Sequence, residues 1–117
     1  MNPDISHRGE KVVLKKLLYK AAIRRELIET NTAHRKLGKT SALIEFAREN
    51  QLTVVVYDYN TAQELDWLYP SVEIYSDNQA ALFAHKRFVV VDEFVDIEKL
   101  ERYGMTIVTG FLHNNVH

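Results

Sequence analysis

Ala33-His34-Arg35-Lys36-Leu37-Gly38-Lys39-Thr40-Ser41 is the stretch on which the reading of this chain turns. It has the form of a phosphate-binding loop running into a helix. Gly38 allows a tight backbone turn. Lys39 supplies a cation and Thr40 a hydroxyl suited to Mg²⁺. Ser41 to Arg48 continue as a helix whose first amides and dipole would face an anion. The full pattern is G-x-x-x-x-G-K-[ST]; Ala33 stands where its first glycine belongs, so only the second half is met. The plainer reading of the stretch is the basic, solvated start of a helix.

Upstream of the loop, residues 9–29 read as an amphipathic helix. Val13, Leu14, Leu17, Leu18, Ala21 and Leu27/Ile28 recur at helical spacing, with Lys11, Lys15, Lys16, Lys20, Arg24 and Arg25 between them. Packing on the domain accounts for such a helix; contact with nucleic acid or a partner protein is the sharper alternative. A short strand, about residues 30–33, should deliver the loop. Its sequence is polar for that task, because a central parallel strand is normally apolar throughout.

Downstream, strands and helices alternate. The helix after the loop runs to about Asn50, with Leu43, Ile44, Ala47 and Phe46 as its buried side. Leu52 to Asp58 reads as a strand buried on both faces. Thr61-Ala62-Gln63-Glu64 has capping-box spacing and opens a helix to Leu68, which Tyr69-Pro70 stops. Val72 to Tyr75 alternates like a half-buried strand, and a helix over 79–85 follows a cap at Asp77 or Asn78. Arg87 to Phe94 contains the next strand. A helix over 96–103 ends at Gly104, and Met105 to Leu112 forms the last strand. The expectation is one α/β domain over 1–117: the N-terminal helix 9–29, then a core over 30–112 with a mostly parallel five-stranded sheet and helices on both faces.

Composition bounds the classes open to the chain. Its 117 residues suffice for one core, and 46% hydrophobic and 26% charged residues are ordinary for a globular protein. No apolar run is long enough to cross a membrane, no secretion signal opens the chain, and the absence of cysteine excludes a disulfide framework and thiolate metal sites. A cytoplasmic setting fits these features best. The net charge of −1 hides an asymmetry: residues 1–48 hold eleven Lys/Arg against five Asp/Glu, and residues 49–117 hold four against eleven. This division can serve nucleic acid. It can equally serve faces that pair within the fold or between copies, a reading favoured by the lack of aromatics interleaved with the basic residues.

The second chemical signal is Phe88-Val89-Val90-Val91-Asp92-Glu93, an apolar strand ending in two carboxylates. In open parallel sheets ligands bind at that end of the strands. An acid there can hold Mg²⁺ through water, and its neighbour can orient or deprotonate an attacking water. A strand ending at an acidic helix cap is the ordinary alternative. The order of the signals adds weight: a GKT loop, about fifty residues of alternating elements, the acidic strand, and then Thr106-Ile107-Val108-Thr109-Gly110.

On these residues the chain resembles a minimal P-loop NTPase core of the RecA-like class, over about residues 28–112. It is most similar to the ATPase domain of phage terminase large subunits and to the first domain of helicases. A thymidine-kinase-like core is a second likeness. The resemblance implies binding of ATP with Mg²⁺ and its hydrolysis, expected to be slow because no finger or lid is identifiable. His34, Arg35, Lys36, Leu37, Gly38, Lys39, Thr40 and Ser41 would form the phosphate loop, with Lys39 on the β- and γ-phosphates. Thr40 and Asp92 would hold the metal, Glu93 would be the catalytic base, and Thr109 would sense the γ-phosphate. It further implies a nucleic-acid process of a phage or mobile element, in the host cytoplasm. The chain departs from the family at Ala33 and in having no lid segment after Asn115.

Other residues carry less. Arg35 could contact the γ-phosphate or be a solvated cation, and a trans-acting finger from Arg87 or Arg102 would need a ring of subunits. His34, His85, His113 and His117 make no metal spacing with nearby carboxylates. Trp67 reads as core or as an edge patch. The competing functional class is a non-catalytic interaction module on the same scaffold, binding a host or assembly protein through helix 9–29 and the acidic segment 92–101. Nucleic-acid binding through helix 9–29 is the third.

Overall fold

The computed structural model describes residues 3–30 and 38–113. Five strands form one parallel sheet: β1 (Ile28–Thr30), β2 (Thr53–Val56), β3 (Ile74–Ser76), β4 (Phe88–Val91) and β5 (Thr106–His113). Their order across the sheet is β1-β5-β4-β2-β3. The helices are α1 (Pro3–Arg24), α2 (Lys39–Asn50), α3 (Tyr59–Leu68), α4 (Ala80–Phe83, flanked by 3-10 turns at 77–79 and 84–86) and α5 (Ile97–Arg102). Among the described residues no helix is long and apolar enough to cross a membrane.

The alternation of strand side chains splits the core in two. Val54, Val56, Val90 and Phe111 meet Leu18 of α1, Leu43, Ile44 and Phe46 of α2 and Ala62 of α3. Val55, Val89 and Val91 face the other way, onto Ala80 and Phe83 of α4 and Leu100 of α5. Helices therefore cover both faces. All four residues of β2 are buried, as its apolar run requires of a strand lying between β4 and β3.

The N-terminal part differs from expectation. The first helix runs from Pro3 to Arg24, not over the expected 9–29. Arg25 turns into the left-handed region (φ 56°), and the amides of Arg25 and Glu26 donate to Ala22 and Ala21, 3.1 and 2.9 Å away. That closure satisfies the last carbonyls and frees Ile28 to Thr30 to pair with Phe111 to His113. The delivering strand thus sits two residues earlier than the expected 30–33, and residues 31–33 lie outside the described set. It is also an edge strand, which explains its polarity: an edge tolerates Glu29 where a central strand would not. The expected inner face of the helix is only partly used. Leu14, Leu18 and Ala21 pack inward, whereas Val13 and Leu17 are exposed.

Two local devices also shift. The cap of α3 is Asp58, which accepts from the Thr61 amide (3.2 Å) and hydroxyl (3.0 Å), so the helix begins at Tyr59 rather than at a box opened by Thr61. Ahead of α4, the Gln79 side chain accepts from the Ser76 amide (3.0 Å), while Asp77 accepts from the Asp96 amide (2.8 Å) and so ties β3 to the start of α5. At Gly110, opposite Val91, an added Cβ would stand 2.0 Å from the Val91 carbonyl oxygen. Only glycine lets β5 lie this close to β4 at φ 152°.

Candidate functional site

Parallel pairing brings the carboxyl ends of all five strands to one edge, and α2 starts there. Gly38, in the left-handed region at φ 75°, turns the chain into α2. Lys39 and Thr40 therefore project from the helix's first turn, with Ser41 behind them. β4 delivers Asp92 and Glu93 to the same edge. The Asp92 amide continues the ladder by donating to the Val55 carbonyl (2.9 Å). Register sets Thr30 of β1 opposite His113 of β5.

These groups meet in two linked contacts. Lys39 Nζ lies 2.6 Å from Glu93 Oε1, and Thr40 Oγ1 donates to Asp92 Oδ2 at 2.8 Å. The Glu93 amide donates to Asp92 Oδ1 (2.9 Å). The second Glu93 oxygen is held by the Thr30 hydroxyl and by His113 Nδ1 at 3.1 Å, a bond that requires the proton on Nδ1. The Lys39 side chain is 7% exposed and that of Glu93 16%, so the pair is largely shielded from water. Phe94 packs on His113 with ring centroids 4.6 Å apart, and Tyr57 meets Phe94 edge-on at 6.5 Å. Beside them Thr40, Tyr57, Asp58, Thr61, Asp92 and Phe94 line a recess of about 190 Å³. A larger recess of about 510 Å³ lies at the amino end of the sheet, around Thr53, Glu73, Lys86 and Phe88, away from these groups.

Adjacent in sequence, the two carboxylates experience opposite fields. Burial pushes the Asp92 carboxyl above its ordinary value, more strongly than the Thr40 hydroxyl and the Glu93 amide pull it down. Burial also acts to raise Glu93, but hydrogen bonds from Lys39, Thr30 and His113 together outweigh it and hold that carboxyl below its ordinary value. One residue is thus a half-buried carboxylate short of positive charge. Its neighbour is a carboxylate saturated with donors.

Of the residues expected at the site, the structure brings together Lys39, Thr40, Asp92 and Glu93, with Gly38 as the turn and Ser41 in the adjoining helix. His34, Arg35, Lys36 and Leu37 lie outside the described residues. Thr109 stands apart: it is fully buried, and its hydroxyl donates to the Glu26 carbonyl at 2.8 Å. The end of β5 contributes His113 instead, four residues further along. Neither Thr30 nor His113 was expected at this site. Their signal was positional, since the last residue of each parallel strand reaches the same edge, but β5 was expected to end one residue short and β1 to begin two residues late.

As a metal site, the pair Thr40–Asp92 offers two hard oxygen donors in contact. Among the described residues no group of three or more His, Cys, Asp or Glu is placed to hold an ion. That donor set fits Mg²⁺, which keeps most of its shell in water and phosphate oxygens, and does not suit an ion needing an all-protein cage. No protein-family model, no curated protein and no solved structure matches the chain.

Proposed function

We propose that this chain is a small P-loop NTPase that binds Mg·ATP at the carboxyl edge of its sheet and hydrolyses it slowly. One observation carries the reading: Lys39 and Thr40, at the start of α2, contact Glu93 and Asp92, more than fifty positions away. Cation, hydroxyl and paired carboxylates thereby share one edge, in front of a helix N-terminus that favours anions. The strand order, with β5 between β1 and β4, supports the RecA-like likeness, in which one strand separates those bearing the loop and the acid.

In this proposal Lys39 leaves Glu93 and binds the β- and γ-phosphates. Thr40 and Asp92 would hold Mg²⁺, which would supply positive charge against the phosphate oxygens. The desolvated Asp92 would there gain a positive partner. Glu93, released from Lys39, takes a proton from water while the water oxygen bonds to the γ-phosphorus and the bond to the β-bridging oxygen breaks, giving ADP and phosphate. Slow turnover follows from the resting state, in which the base is bound by three donors and must exchange one of them in each cycle.

A second reading is a scaffold that binds nucleotide or a partner without hydrolysis. It draws on the same saturation of Glu93. One experiment separates the two: ATP titration with and without Mg²⁺, and phosphate release, for the chain and for Lys39→Ala and Glu93→Gln. The enzyme reading expects Mg-dependent binding lost in Lys39→Ala, and release reduced at least about 100-fold in Glu93→Gln with binding retained. Equal release in all three would remove it, and binding without release would leave the scaffold.

A further inference from the structure

The charge asymmetry of the chain is resolved unevenly in the fold. Residues 11–25 hold six Lys/Arg and no acid, and residues 49–85 hold six Asp/Glu and no Lys/Arg. Some of these charges are used internally. Lys11 and Lys15 pair with Glu45 and Glu49 of α2, Arg25 lies over the Phe88 ring, Glu73 pairs with Lys86, and Asp58 and Asp77 accept backbone amides. Among the described residues Lys16, Lys20 and Arg24 meet no carboxylate, and Glu64 and Asp66 meet no cation. All five are exposed.

The unpaired groups sit at opposite ends of one helical layer. α1, α2 and α3 cover the same face of the sheet; α1 lies against β1 and β5 at one end, and α3 against β2 and β3 at the other. Each unpaired set lies beside exposed apolar surface. Between the last turns of α1 and β1 runs a groove of about 540 Å³, walled by Leu17, Ala21, Ile23 and Leu27, with Lys20 and Arg24 and one acid, Glu26, at its rim. Ile23 is 85% exposed. On α3, Glu64 and Asp66 flank Trp67, which is 81% exposed, and Leu68 beside it is 52% exposed. Large exposed apolar groups ringed by charge mark a contact surface. An aromatic anchor in an apolar pocket with a charged rim is how such contacts obtain their energy.

We propose that copies of this chain associate head to tail, Trp67 of one copy entering the α1–β1 groove of the next while Glu64 and Asp66 meet Lys20 and Arg24. The occupant is a second copy because knob and groove belong to the same chain and their net charges are opposite in sign, Lys20 and Arg24 outweighing Glu26 at the groove and Glu64 and Asp66 standing beside the knob. The two surfaces differ, so the contact is heterologous and leaves one surface free at each end of a pair. It needs no nucleotide, and its outcome is separate from that of the phosphate site.

Trp67 is the chain's single tryptophan and reports its own burial. Sedimentation velocity and tryptophan emission are followed over a concentration series without nucleotide, at low and high salt. The mass should rise above the 13.6 kDa of one chain, more so at low salt, with emission moving to shorter wavelength. Ile23→Glu, which spoils the groove, and Trp67→Ser, which removes the knob, should each remain at the mass of one chain. Both positions are exposed, so the fold is retained. Mixed in equal amounts, the two variants keep one intact knob and one intact groove. They should form a pair and nothing larger, with the emission of the only tryptophan present shifted to the blue. The proposal is overturned if the chain stays at single mass throughout, if either variant alone still associates, or if the mixture does not pair. Binding of duplex DNA by the single-mass chain, lost in Lys16→Glu/Lys20→Glu, would assign α1 to nucleic acid instead.

Discussion

The carboxyl edge of the sheet and the outer surfaces of α1 and α3 are both rich in charge, yet they handle it in opposite ways. At the edge, Lys39, Asp92, Glu93, Thr30 and His113 are drawn into a half-buried cluster where every carboxylate oxygen has a donor. On the outer surfaces Lys16, Lys20, Arg24, Glu64 and Asp66 stand in solvent without partners among the described residues. Charges removed from water must be matched within the molecule or they destabilise it. Solvated charges cost the fold little and remain available to another molecule. The contrast teaches where changes to this chain should act on folding and where they should act on association.

The largest effect should come from breaking the shielded pair. Lys39→Ala leaves Glu93 with Thr30 and His113 but no cation, and should lower stability by about 3 kcal/mol, toward the low end for stranding a buried charge. Urea unfolding at neutral pH measures it, and a loss under about 0.5 kcal/mol would erase the distinction between the two regions.

A smaller effect, of opposite sign at neighbouring positions, should appear with pH. Glu93 is held below its ordinary value of 4.5. Its contribution is complete above that value and is lost as pH falls through the lower folded value. Asp92 is raised above 3.8, so its charge is a cost at neutral pH that is relieved as pH falls through its folded value. Asp92→Asn should therefore match or exceed the parent in stability at pH 7, by up to about 1 kcal/mol. Glu93→Gln should be less stable at pH 7 and show a flatter loss below pH 4.5. Melting temperatures of the three proteins between neutral and acid pH would sharpen the comparison, and parallel curves would break it.

The smallest effect belongs to the outer surfaces. Lys16→Ala and Glu64→Ala should each leave the urea midpoint within about 0.5 kcal/mol of the parent when measured in dilute solution. A larger change would mean that these side chains are engaged within the fold.

Much of the architecture was legible in the order of residues. The apolar runs at Val54–Val56 and Val89–Val91 could be satisfied only by burial between other strands, and both became interior strands. Asp96 and Gly104 marked the limits of α5 within a residue or so, because a cap and a left-handed stop are local chemistry. Where tertiary pairing outbid local pattern, the reading slipped. Ile28 continues a helical period but pairs with Phe111, and Thr61 has the spacing of a cap but is itself capped by Asp58.

At the site the same division holds. Lys39, Thr40, Asp92 and Glu93 stood out as candidates because each belongs to a short motif whose chemistry is contained in a few neighbouring residues. Their partnering was not: the cation meets Glu93 rather than Asp92, and the hydroxyl takes Asp92. Nor could local pattern show that Thr30 and His113 close around Glu93, or that Thr109 turns away to the Glu26 carbonyl. Those facts depend on strand order, a one-residue bulge at Val108 of β5 opposite Val89 and Val90 and the point where each strand stops. Motif chemistry is local and survives in the linear chain. Which of two adjacent carboxylates receives a given donor is set by ångström-scale placement of elements far apart in sequence, and exists only once they have packed.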